Sequence, residues 1–149
     1  MPTFAYNRRA SYDYEILEKY EAGLVLTGQE VKSIKTGHIN LVGSYVVLKN
    51  QEPYLINASI PPYQPKNAPS DYEPTRSRKL LLRKVEIKSL IGKTQQKGLT
   101  LVSLKVYTKN RKLKLEFALA KGKKKFDKRA KIIARETQRQ IDRAMKDKF

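Results

Sequence analysis

The chain has 149 residues and a formal net charge of +18, from 32 Lys and Arg against 14 Asp and Glu, with 40% hydrophobic residues and no cysteine. That length holds one domain and a tail; the missing cysteine excludes disulfides, thiol catalysis and cysteine-ligated zinc, and the apolar content is too high for a disordered polycation. Residues 1–120 hold 20 Lys and Arg against 10 Asp and Glu, and residues 121–149 hold 12 against 4, so the charge is spread over both parts and points to a polyanionic partner.

Residues 14–26 read as a strand, with Tyr14, Ile16, Tyr20, Leu24 and Leu26 at alternating positions and a bulge expected at Gly23. Thr27-Gly28-Gln29-Glu30 then fits a capping box, and Val31 and Ile34 share one side of a short helix that Gly37 ends. Glu30 is therefore expected to be a structural cap. Residues 44–48 and 52–60 predict a hairpin turning near Asn50-Gln51. Six of the seven prolines lie between Pro53 and Pro74, so residues 61–78 read as a long extended loop. Order resumes at Lys79-Leu80-Leu81-Leu82. Val85, Ile87, Leu90 and Ile91 predict a second amphipathic helix, stopped by Lys97-Gly98, and residues 99–107 and 112–120 predict a last hairpin across Thr108-Asn110.

This pattern predicts a mainly β fold with flanking helices, a small closed barrel over residues 1–120. Residues 121–149 form the second part, a basic C-terminal tail. Ala130, Ile133, Ala134, Thr137, Ile141, Ala144 and Met145 recur there at helical spacing, but the stripe is narrow and weakly apolar. Such a tail is disordered alone and becomes helical against a partner.

A catalytic constellation is not legible. His38 is the sole histidine and follows a glycine in a turn, and no acidic cluster has metal-ligand spacing. Ile91-Gly92-Lys93-Thr94 resembles the end of a phosphate-binding loop, yet Ile87 stands where that motif needs its first glycine. No enzyme, metal or cofactor is expected. No apolar run approaches the length of a membrane span, and the N-terminus lacks a signal-peptide core, so a cytoplasmic protein is expected.

Binding residues are more visible. Tyr12, Tyr14, Tyr20, Tyr45, Tyr54, Tyr63, Tyr72 and Tyr107 can stack on bases or fill the core, and core filling is the commoner use. Arg76 and Arg78 fall on one face if the strand begins before Lys79, as a phosphate-straddling pair or a solvated edge. The high positive charge favours phosphate. Arg8, Lys32 and Lys79 join these two as candidate RNA contacts.

Several blocks carry a specific resemblance. They are Tyr20-Glu21-Ala22-Gly23-Leu24, Glu30-Val31-Lys32-Ser33 after Gly28, Asn40-Leu41 with Ser44-Tyr45, and Arg78-Lys79-Leu80-Leu81-Leu82. Gly98-Leu99-Thr100-Leu101-Val102, Ala120-Lys121-Gly122-Lys123-Lys124 and Asp127-Lys128-Arg129 follow in the same order. Together they span nearly the whole chain from Asn7, and the chain resembles the SsrA-binding protein family (small protein B).

The resemblance implies an oligonucleotide-binding-fold (OB-fold) barrel that grips the elbow of the tRNA-like domain of transfer-messenger RNA (tmRNA). The tail would enter the empty mRNA channel of a stalled 70S ribosome and fold at the 16S rRNA decoding centre, so that trans-translation rescues the ribosome. Elongation factor Tu is a further implied partner, through the RNA. The family's RNA-binding positions fall on Asn7, Glu21 and Leu81. An acid beside RNA must bond base or ribose groups, or else orient a neighbouring cation. Lys123, Lys124, Phe126, Asp127, Lys128 and Arg129 are the implied ribosome-binding residues. Phe126 replaces a usual Tyr or His and keeps only the stacking role. Gly43, Arg83 and Ser103 stand where the family often carries Asp, His or Asn, and Pro.

Without the resemblance, a ribosomal or other basic structural RNA-binding protein is the alternative. A membrane-surface role is disfavoured, because the tail's apolar side lacks Trp and Leu.

Overall fold

The computed structural model describes residues 2–123 and 139. Among these residues seven strands and three α-helices follow one another as β1 (Thr3–Tyr6), α1 (Ala10–Asp13), β2 (Tyr14–Leu24), α2 (Gly28–Lys35), β3 (Tyr45–Lys49), β4 (Glu52–Ile56), β5 (Arg78–Leu81), α3 (Lys84–Thr94), β6 (Leu99–Lys109) and β7 (Lys112–Gly122), with one 3-10 turn at Pro65–Asn67 between β4 and β5. All pairings are antiparallel in the order β1-β6-β3-β4-β5-β2-β7, and β6 also pairs with β7. Strands β2–β7 thus close on themselves as the expected mainly β, OB-like barrel, with β1 left as a short edge strand beside β6.

Local chemistry explains the element ends. The Thr27 hydroxyl accepts from the Glu30 N–H at 3.3 Å and the Glu30 carboxylate accepts from the Thr27 N–H at 2.9 Å, which completes the capping box. Gly37 ends the turn after α2 at φ +85°. Asn50-Gln51 and Asn110-Arg111 each hold two successive positive φ angles, the two-residue turn that matches the twist of antiparallel strands.

One core fills the barrel, from Ile34 of α2 and Leu90 of α3 to Leu55, Leu80, Leu101, Val106, Leu115 and Phe117 on the strands. Each such side chain contributes roughly 1.5–3 kcal/mol by leaving water. A second cluster lies on the outer side of β6 and β7, where Ala10 of α1 covers Val102, Ala118 and Ala120.

The structure differs from the sequence expectation in several places. The bulge in β2 falls between Ile16 and Glu18, whereas Gly23 keeps regular register with Leu81 and Lys114. Strand β4 stops at Ile56 because Asn57 turns to φ +64°, leaving one bridge between Asn40 and Ser59. The barrel strand β7 runs to Gly122, two residues beyond Ala120, with Gly122 opposite Tyr14.

Candidate nucleic-acid interface

An outer face of the barrel forms where β1, β6, β7 and β2 lie side by side. Tyr6 is opposite Lys105, Lys105 opposite Glu116, and Glu116 opposite Glu21, so four side chains make one row across four strands. The Glu116 carboxylate lies 3.6 Å from Lys105 and 3.9 Å from Lys19. Glu21 accepts a short hydrogen bond from the Tyr107 hydroxyl and lies 3.5 Å from the Lys109 ammonium. Those contacts, Tyr107 first, hold the Glu21 carboxyl below its usual pKa, while burial and Glu21 itself push the Tyr107 phenol up. Glu21 is thus a fixed anion that orients one cation, with its side chain still 36% exposed.

Leu81 joins Glu21 on this surface. In β5 the alternation buries Arg78 and Leu80 and turns Lys79 and Leu81 outward, leaving Leu81 56% exposed. Gly23 lets it lie across β2, since a Cβ there would sit 3.3 Å from the Leu81 Cβ. Glu21, Gly23, Leu81, Arg83 and Lys114 line one shallow cleft. Arg83 in that cleft donates to Glu86, which also lines it, at 2.7 Å, and Lys114 is the second cation. An exposed leucine beside an ordered carboxylate can meet a base or ribose while Lys114 and Lys109 meet phosphates.

Asn7 sits at the other end of the row, next to Tyr6. Its amide Nδ2 donates to the Ser103 carbonyl at 2.9 Å, its N–H donates to the Leu104 carbonyl at 2.7 Å, and its buried Oδ1 has no partner among the described residues. Asn7 therefore anchors β1 to β6. Asn7→Ala is expected to cost about 1 kcal/mol of stability, measured by urea unfolding, besides any loss of RNA contact. Arg8 is exposed beside it.

The remaining sequence candidates are elsewhere. Lys32 is exposed on α2 with its ammonium 6.0 Å from the centre of the Tyr63 ring. Lys79 reaches Glu52 at 3.5 Å. Arg76 is 42% exposed and donates to Glu30 at 2.6 Å. Arg78 must be corrected. It is 0% exposed, donates to Glu30 at 2.7 Å and to the carbonyls of Ala58 and Pro74 at 2.7 and 2.9 Å, and so cannot touch RNA. Strand β5 begins at Arg78 and leaves Arg76 outside it, yet the two arginines do meet one anion, Glu30 of the same chain. This ion pair, with the Tyr72 hydroxyl on the Ile60 carbonyl at 2.6 Å, folds the proline-rich segment down against α2.

A sequence model of the family described as "SmpB protein" matches residues 4–147. The chain belongs to the SmpB protein family. Two relatives named SsrA-binding protein support this: that of a Sulfurihydrogenibium species is 51% identical over 145 residues, 97% of this chain and 95% of the relative. That of Nostoc punctiforme is 53% identical over 140 residues, 94% of this chain and 90% of the relative. A chain solved in work on tmRNA–SmpB and the centre of the bacterial ribosome superposes with a TM-score of 0.68 at 48% identity, covering 84% of this chain and 87% of that one.

Within this SmpB fold, several residues of the candidate face escaped sequence reading. Tyr6, 59% exposed, belongs to a four-residue strand too short to show alternation. Lys105, Lys109 and Lys114 sit on strands chosen for their apolar positions, and only pairing of β6 with β7 and β2 brings them to Glu21 and Glu116. Tyr20 stacks on Phe117, ring centres 5.6 Å apart, as core filling. Lys93, the lysine of the phosphate-loop lookalike, lies 2.6 Å from Glu18, and that bond, then Tyr20, raises its pKa. Among the described residues no group of three His, Cys, Asp or Glu could hold a metal ion, and no helix is long and apolar enough to cross a membrane.

Gly43 stands at φ +79°, a conformation that suits glycine, while the Ser44 hydroxyl donates to the Leu41 carbonyl at 2.6 Å. Lys123 donates from its N–H to the Asp13 carbonyl at 2.9 Å and from its ammonium to the Ser11 carbonyl at 2.7 Å. Lys124, Phe126, Asp127, Lys128, Arg129 and the expected tail helix lie outside the described residues.

Proposed function

We propose that this chain binds the tRNA-like domain of tmRNA and, with it, rescues stalled ribosomes by trans-translation. The carrying observation is the exposed Leu81 beside the fixed Glu21 carboxylate, bordered by Lys109, Lys114 and Arg83. That patch reads ribose or base edges through Glu21 and Leu81 and neutralises the backbone around them, whereas a purely electrostatic binder needs neither an anion nor a leucine at its centre. The names of the SsrA-binding relatives, and the solved tmRNA–SmpB chain, support tmRNA and the ribosome as partners.

The barrel and the tail divide the work. Residues 121–149 carry 12 Lys and Arg and begin with the last two residues of β7, and this tail is read as the part that enters the empty mRNA channel, with Lys123, Lys124, Lys128 and Arg129 on ribosomal RNA phosphates and Phe126 stacking. The protein is read as a cytoplasmic RNA-binding protein that performs no chemistry; elongation factor Tu is reached through the RNA.

Leu81→Ala is expected to weaken binding of the tRNA-like domain about ten-fold, some 1.4 kcal/mol, with an unchanged thermal midpoint because the side chain is exposed. Filter binding at fixed salt measures it. An unchanged affinity would move the interface away from this patch.

A further inference from the structure

We propose that the groove between α2, β5 and the β6–β7 turn receives one unstacked base of the bound RNA, with Lys35 and Arg111 holding the phosphates on either side. The inference rests on the RNA-binding reading above and names a subsite of it. The groove holds about 330 Å³ and is floored by Leu26, Val31 and Leu113, with Leu81 as one wall. That volume admits a nucleobase with its sugar but no duplex. Lys35, Arg111, Lys112 and Lys114 stand around it and no carboxylate lines it.

The other clefts among the described residues lack this combination. The cleft beside α1 sets Asp13 against Arg9, and the one under the proline-rich segment is lined by Glu30, Asp71 and Glu73. Lys35, Arg111 and Lys112 form no ion pair with a described carboxylate, so their charges face outward, uncommitted within the chain.

An apolar slot with cations at its mouth fits one kind of occupant best. A nucleobase presents two apolar faces and carries a phosphate on each side, whereas an apolar peptide would leave the cations unmatched. The groove is also continuous with the Glu21 patch, sharing Gly23, Leu81 and Lys114 with it. Arg111 is held by a two-residue turn, Asn110 at φ +53° and Arg111 at φ +64°, which fixes where its side chain starts.

The test compares the full chain with its Val31→Arg variant against the tRNA-like half of tmRNA and an ordinary tRNA. Arginine would fill the slot while adding a positive charge. If the slot takes a base, affinity for the tRNA-like half falls about ten-fold or more despite that charge. Retained or improved affinity overturns the proposal and leaves the Glu21–Leu81 interface standing. A wild-type chain that shows no preference for the tRNA-like half overturns the underlying reading instead. Methyl NMR of the wild-type chain needs no variant and covers a failure of Val31→Arg to fold: added RNA should shift the Leu26, Val31 and Leu113 methyls, and silent methyls beside a shifted Leu81 overturn the proposal.

Discussion

Glu30→Ala is expected to lower the unfolding free energy by about 3–5 kcal/mol, a large part of the roughly 5–15 kcal/mol of a domain this size. Glu30 is 1% exposed and Arg78 0% exposed, so removing the carboxylate strands a buried guanidinium. The same change frees the Thr27 N–H at the start of α2 and releases Arg76, which together tie the proline-rich segment to the helix. Urea unfolding of the variant measures the loss; a value under about 1 kcal/mol would mean that water replaces the carboxylate. Replacing Glu30 and Arg78 together by methionine should recover only part of the stability, because apolar packing can replace the ion pair but leaves the Ala58 and Pro74 carbonyls and the Thr27 N–H without their partners.

The same carboxylate gives the barrel an acid limit. Burial pushes the Glu30 pKa up, but the Thr27 N–H and the two arginines outweigh it and hold the group below its ordinary 4.5. Its contribution is fully present above that ordinary value and is lost as pH falls through the lower folded-state value. Wild-type stability should therefore decline below about pH 4.5, and the component due to Glu30 should vanish from the pH profile of Glu30→Gln.

The second large effect is on ribosome rescue. A chain ending at Lys123 is expected to keep its thermal midpoint and its affinity for the tRNA-like domain within a few-fold, yet to lose tagging of stalled nascent chains in a reconstituted translation system. The cut belongs after Lys123 because Gly122 still pairs with Tyr14 and Lys123 still bonds Asp13 and Ser11. The deletion removes 10 Lys and Arg and 4 Asp and Glu, leaving a charge of +12, enough to hold the RNA. Retained tagging would separate the tail from the rescue step. A loss of RNA affinity beyond about ten-fold, with a shallower salt dependence, would make the tail a general RNA clamp.

Elements whose stability is local were legible in the sequence. Thr27 and Glu30 announce α2, Asn50 and Asn110 announce the two hairpin turns, and alternation over residues 112–120 announces all but the last two residues of β7. Strand β1 and helix α1, four residues each, were not, since they exist only against β6 and the outer apolar cluster. Arg78 shows the limit at the site. The strand begins only at Arg78, so Arg76 lies outside it and the two arginines meet through Glu30 instead; which side of β5 faces the core depends on Glu30, 48 residues away. Glu21 and Leu81 entered through family resemblance, and their meeting is a product of the β2–β5 pairing, in which Gly23 faces Leu81.

The most direct measurement is a competition, at fixed near-physiological salt, between the tRNA-like half of tmRNA and an ordinary tRNA of equal length for the full chain. A patch centred on Glu21 and Leu81 predicts a preference of about ten-fold or more for the tRNA-like half, near 1.4 kcal/mol. Equal affinities with a steep salt dependence would contradict it, because net charge alone would then account for binding and a basic ribosomal-type RNA binder would describe the protein better.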